Sequence, residues 1–201
     1  MRPEVLCRLL MACSEPVVCT SVASTSVIVL GGTRNVRDVL DDLNVMRCEY
    51  GDGNVHCGMM MRSRRLWDEV VEEFVHDCNT NLHITGWSLG GGCAIHMAAL
   101  MHSCGVRMPT SITTFGAPKC ADASFVRWYA STGLGDRTTR YELARDPVVT
   151  LPHGRGYRHA GRRVRLTSND DGNLLWRQHE LHIYYDSLIK TSSPWHPSGD
   201  G

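Results

Sequence analysis

Val27-Ile28-Val29-Leu30 is an unbroken apolar run that stops at Gly31-Gly32. A strand that is apolar on both faces has to be covered on both sides, as strands of parallel α/β sheets are. The same punctuation recurs. Residues 82–85 stop at Gly86, residues 111–115 stop at Gly116-Ala117-Pro118, and residues 140–144 stop before Asp146-Pro147. Residues 163–167 form a further strand. Helical spacing fills the intervals at 34–43, 66–78, 89–102, 121–130 and 177–189. This alternation predicts an α/β fold, a mostly parallel sheet flanked by helices. In such sheets the functional residues gather at the carboxyl ends of the strands.

A length of 201 residues suits one domain. We assign residues 1–190 to it and expect 191–201, polar and rich in Pro and Gly, to be a disordered tail. Lys and Arg total 21, balanced by 21 Asp and Glu, so no electrostatic footprint for nucleic acid is present. The arginines at 162, 163 and 165 alternate with Val164 and Leu166, as in a half-exposed strand. Nine cysteines without C-x-x-C spacing argue against a zinc cage. They read as small buried apolar residues, with one or two disulfides left open. No cofactor or metal is expected. The first residues make a poor secretory leader, because Glu4 and Arg8 interrupt it. No apolar run reaches membrane-spanning length. A soluble protein is expected, with a cytoplasmic location favoured.

Gly86-Trp87-Ser88-Leu89-Gly90 fits G-x-S-x-G between a strand and a helix. Glycines two residues to either side of the serine let strand and helix pass closely, so the hydroxyl stands clear of the sheet. The N–H of Leu89, at the start of the helix, can help hold an oxyanion. The competing reading is a glycine-rich helix start with a serine cap. A phosphate loop is a weaker reading still, since no lysine follows the glycines.

A serine nucleophile needs a histidine base and a carboxylate to orient it. On this fold the order is Ser, then Asp or Glu, then His. Asp146 follows a strand that Pro147 ends; Asp122, at a helix start, and Asp136, in a turn, are the rivals. His153, His159, His179, His182 and His196 follow Asp146. His179 lies where loop becomes helix and is favoured, with His182 one turn along as the alternative.

Together these motifs resemble the class 3 (fungal-type) lipases of the α/β-hydrolase fold, over roughly Val27 to Leu188. The resemblance rests on Val27–Thr33, Val55-His56-Cys57-Gly58-Met59, the serine corner, Thr114–Pro118, Asp146–Pro152 and Tyr157–Gly161. It implies Ser88 as nucleophile, Asp146 as orienting acid, and His179 or His182 as base. It also implies Thr33 as an oxyanion-hole donor beside the Leu89 N–H. His56 and His159 take fold-holding roles by the same comparison. Residues 34–43 fall where the family carries an amphipathic lid, although an ordinary surface helix fits them as well. Gly31 stands where the family has arginine, and Met59 where it has phenylalanine. The matching region also begins early in the chain, so the fold is expected to be short at its N-terminus.

The function implied is hydrolysis of a lipid carboxylic ester through an acyl-enzyme on Ser88. The partners implied are a lipid or other ester substrate and transient contact with a membrane or lipid-droplet surface. Two alternatives remain: a catalytically silent interaction protein of lipase type, and a thioesterase or peptidase on the same fold. The oligomeric state is not fixed by the sequence.

Overall fold

The computed structural model describes residues 1–22, 24–32, 46–77, 81–153, 156–168 and 175–192. Its centre is a six-stranded sheet in the order β1-β2-β5-β6-β7-β8. The strands are β1 Val17–Val22, β2 Thr25–Leu30, β5 Asn81–Trp87, β6 Ser111–Phe115, β7 Thr138–Leu143 and β8 Arg162–Leu166. The five strands from β2 onward run parallel, and β1 closes one edge antiparallel to β2. A separate hairpin joins β3 Arg47–Tyr50 to β4 Gly53–His56.

β2 shows why the sheet needs two covers. Ile28 and Leu30 point into one core, and Val27 and Val29 into the other. The first core is roofed by α2 Cys57–Leu66, α4 Leu89–Ser103 and α5 Ala123–Ser131. The second is covered by α1 Pro3–Ala12 and α7 Leu181–Ser192, through Leu6, Leu10, Ile183, Tyr184 and Leu188. Two shorter helices complete the set, α3 Glu72–Asp77 and α6 Leu134–Arg137.

The structure departs from the sequence reading in identifiable places. The helix expected at 66–78 begins nine residues earlier. His56 caps α2, its Nδ1 accepting from Met59 N at 3.3 Å, and a π-helical turn at Trp67–Val71 then links α2 to α3. The last helix, expected at 177–189, is split into a 3-10 turn, Leu175–His179, and α7, which runs through Ser192, three residues past the expected end. The buried stripe of α7 is Ile183, Tyr184, Ser187 and Leu188, with Leu181 and Tyr185 only partly covered. α1, β1 and the β3–β4 hairpin were not anticipated. The amphipathic segment at 34–43 and residues 193–201 lie outside the described residues.

The glycine at position 31 has a local cause. The turn between α1 and β1 lies directly on it: Gly31 N donates to Pro16 O at 3.1 Å, and a Cβ would meet Glu15 O at 2.8 Å. An arginine cannot occupy that position here. A guanidinium reaches the same spot from α2, where Arg62 Nη2 donates to Gly31 O at 3.1 Å. All eight cysteines among the described residues are free.

Candidate active site

Ser88 sits at the carboxyl end of β5, between β2 and β6. Its φ of 55° and ψ of −128° make it the one non-glycine residue with positive φ among the described residues. Such strain costs about 1–3 kcal/mol and persists only where the surroundings fix it. Here they do. Ser88 N donates to Phe115 O at 3.0 Å, and Gly91 N donates to Ser88 O at 2.9 Å as α4 begins. The neighbouring glycines are demanded by contact. A Cβ on Gly86 would strike Gly90 O, one on Gly90 would strike Leu30 O, and one on Gly91 would lie 2.7 Å from the Ala117 Cβ.

The hydroxyl does not cap the helix. Ser88 stands at the N-cap position without a side-chain capping bond. Its Oγ lies 2.8 Å from His179 Nε2 instead. The serine-cap reading therefore fails, and the strained corner aims its oxygen at an imidazole.

His179 Nδ1 lies 2.8 Å from Asp146 Oδ2. With Asp146 ionised, the Nδ1 proton faces the carboxylate and Nε2 is free to accept from the serine hydroxyl. The imidazole is locked in orientation. The Trp87 indole stacks on it at 5.1 Å between centroids and 24° between planes, and Trp87 Nε1 donates to His179 O at 3.1 Å. Gly116, at φ 57°, leaves the room that the pair needs. A Cβ there would sit 2.8 Å from Asp146 Oδ2 and 3.1 Å from His179 Nδ1.

Asp146 is held by further donors. Val148 N donates to Oδ1 at 2.8 Å, and the Tyr184 hydroxyl donates to Oδ2 at 2.6 Å. Tyr184 in turn accepts from Leu143 N at 3.2 Å. Burial, and then the charge of Asp146, push the Tyr184 phenol well above its ordinary value, so it stays a donor. Asp146 is only 2% exposed, and these donors take the place of water around its oxygens. Removing the Tyr184 donor in Tyr184→Phe is expected to lower kcat for ester cleavage about tenfold with little change in KM. Steady-state kinetics on the purified variant checks this, and an unchanged kcat would assign Tyr184 to packing alone.

The rivals are placed elsewhere. Asp122 caps α5 through Phe125 N at 2.9 Å and binds Asn54 Nδ2 at 3.0 Å. Asp136 lies in α6. His182 is half exposed and pairs with Glu180 at 3.2 Å. His159 Nε2 donates to Val149 O at 2.8 Å, bracing the turn that follows Asp146. His153 is exposed, and His196 lies outside the described residues. Thr33 lies outside them too. Its neighbour Gly32 passes close to the nucleophile, since a Cβ there would be 3.1 Å from the Ser88 Cβ. Leu89 opens α4 directly after Ser88, so its N–H belongs to the free first turn of that helix.

Ser88 and His179 are both 0% exposed. A cleft of about 630 Å³ opens beside them, lined by Leu10, Met11, Gly32, Trp87 and Leu181 among others.

A family model, Lipase (class 3), matches residues 27–155. The chain belongs to the class 3 lipase family. A lipase from Rhizomucor miehei is 29% identical over 156 residues, which is 72% of this chain and 42% of that protein. The chain thus spans less than half the length of the curated relative it matches. Among solved structures, the R. miehei triacylglyceride lipase superposes with a TM-score of 0.65 at 23% identity, covering 78% of this chain and 69% of its own. Lipase II from Rhizopus niveus gives 0.62 at 25% identity, covering 72% and 57%. A further neighbour, at 22% identity and a TM-score of 0.62 over 79% and 69%, is a triacylglycerol lipase whose catalytic centre is a serine protease triad. These likenesses place the chain on the α/β-hydrolase fold. Among the described residues, no helix is long and apolar enough to cross a membrane.

Trp87, Gly116 and Tyr184 were not read from the sequence as site residues. Trp87 fills a variable position of G-x-S-x-G, and its indole matters only because His179 folds onto it. Gly116 ends β6 in a Phe-Gly-Ala-Pro turn, and that turn was the available signal.

Proposed function

We propose that this protein hydrolyses carboxylic esters of lipids through an acyl-enzyme on Ser88. The observation that carries the reading is the continuous bond from Ser88 Oγ through His179 to Asp146. His179 Nε2 takes the hydroxyl proton as Oγ attacks the acyl carbonyl. The oxyanion that forms is held by the Leu89 N–H, with Thr33 as the second donor. Collapse breaks the ester C–O bond, and His179 gives its proton to the departing alcohol. Water, activated by the same imidazole, then attacks the acyl-enzyme, releases the carboxylic acid and restores Ser88. Asp146 stays ionised throughout, stabilising the imidazolium that each half-reaction forms.

The cleft beside Trp87 and Leu181 supplies the apolar wall that an acyl chain needs. Met11, on its lining, is 50% exposed. Met61 is 65% exposed and shares a hollow with Pro16 and Arg62, which also line the cleft. An apolar rim of this kind favours a substrate presented at a lipid surface. Because Ser88 is buried, an ester reaches it only when the surface above the serine opens.

Hydrolysis of p-nitrophenyl esters from acetate to palmitate, by titrated pure protein, tests the reading. The expected result is turnover that persists in chelator and favours acyl chains long enough to fill the cleft. Release no faster than in buffer alone, at every chain length, would contradict it.

A further inference from the structure

A second hollow, of about 320 Å³, shares none of the residues that line the cleft beside Ser88. β7 and β8 build its floor. Their parallel register sets Arg140 opposite Arg163 and Glu142 opposite Arg165. The two-residue period places all four on one face of the sheet. Like charges directly opposite on neighbouring strands repel. Yet Arg140 is only 6% exposed, so its charge cannot escape into water.

Lys119 and His159 close the walls. Lys119 Nζ donates to Thr150 O at 2.7 Å, and His159 is pinned by its bond to Val149 O. Among the described residues, the lining therefore carries four cations, Lys119, Arg140, Arg163 and Arg165, against a single carboxylate, Glu142. Glu142 is engaged with Arg140 as an ion pair. Burial, then the charge of Arg140, pushes the His159 imidazole down to about 3, so it adds no charge at neutral pH. Arg140 Nε and His159 Nδ1 are both buried without a hydrogen-bond partner among the described residues.

We propose that this hollow is a binding site for a phosphate dianion, either inorganic phosphate or the head of a phosphomonoester. A surplus of three positive charges suits a doubly charged group better than a carboxylate. Guanidinium forks from Arg163 and Arg165 match tetrahedral oxyanion geometry. Arg140, only 6% exposed, adds its charge from the floor beneath them. Leu143 and Ala144 line the hollow, two residues before Asp146. A bound anion would thus brace the loop that carries the carboxylate, without entering the cleft beside Ser88.

Calorimetric titration of the intact protein with inorganic phosphate, in HEPES at constant ionic strength set by sodium chloride, tests the site. A parallel arm measures sedimentation with phosphatidylcholine vesicles, with and without phosphatidic acid. Arg163→Gln/Arg165→Gln alters two exposed side chains, so its melting temperature without phosphate should match the parent. Arg127→Gln/Arg137→Gln, equal in charge and outside the lining of the hollow, is the control. The expected result is saturable binding in at least one arm, weakened about tenfold or more in the first variant and little changed in the control. Saturation by free phosphate points to a soluble ligand, and binding confined to phosphatidic acid points to a lipid head. No binding in either arm, or equal losses in both double variants, would overturn the proposal.

Discussion

Ser88→Ala is expected to lower kcat/KM for ester hydrolysis by at least about 10⁴-fold while leaving the fold intact. The variant keeps the Cβ and the backbone bonds of Ser88 to Phe115 O and from Gly91 N. It removes only the oxygen that faces His179 Nε2. What survives is positioning of the ester and the oxyanion donors, which act without a nucleophile. Ser88→Gly sharpens the point. It loses the same activity, but glycine adopts a φ of 55° without the strain that serine carries there. Its unfolding free energy is expected to rise by about 1 kcal/mol. Denaturant unfolding of the three proteins, run beside the kinetics, checks this. A glycine variant less stable than the alanine variant would mean that the corner is not strained.

His179→Ala is expected to cost a similar factor, about 10⁴-fold or more in kcat/KM, whereas His182→Ala stays within about twofold. The contrast follows from placement. His179 is 0% exposed and bonded on both sides, while the His182 side chain is 48% exposed and turned to Glu180. The loss should not reflect unfolding. Asp146 keeps its bonds from Tyr184 and Val148 when the imidazole is gone. Its charge is therefore not left bare. Matching melting temperatures with divergent rates are the expected pattern. Equal losses in both variants would show that the base is not the group the geometry selects.

Much of this site could be read before the fold was known, because its signals are local. A serine between close-set glycines, after a strand and before a helix, requires a tight corner whatever surrounds it. Asp146 was legible because Pro147 ends the strand there. His179 was harder to place. Five histidines follow Asp146, and only the 3-10 turn at Leu175–His179 settles which ring lies over the sheet. Trp87, Gly116 and Tyr184 stayed hidden because each acts through a contact made at long range. The indole and the phenol reach His179 and Asp146 across 92 and 38 residues of chain.

The fold shows the same division. Apolar strands that end in glycine were legible, and so was the small-residue helix after Ser88. α1 is hard to read, since the same Leu6, Leu9 and Leu10 stripe suits an N-terminal leader. The start of α2 is not legible in the sequence, because it depends on the His56 side chain as cap. The arginines of β8 were read correctly as half exposed. Their alignment with Arg140 and Glu142 could not be, because strand register is set by packing and not by either strand alone.

The central claim is that Ser88 is a nucleophile activated by His179. A fluorophosphonate reacts with such a serine and loses fluoride to leave a stable phosphonyl adduct. Intact-mass and peptide mapping of the labelled protein is the most direct measurement. The account predicts one adduct, on the peptide that carries Ser88, absent from Ser88→Ala and strongly slowed in His179→Ala. No adduct on the parent protein, or an adduct that persists undiminished in Ser88→Ala, would contradict it.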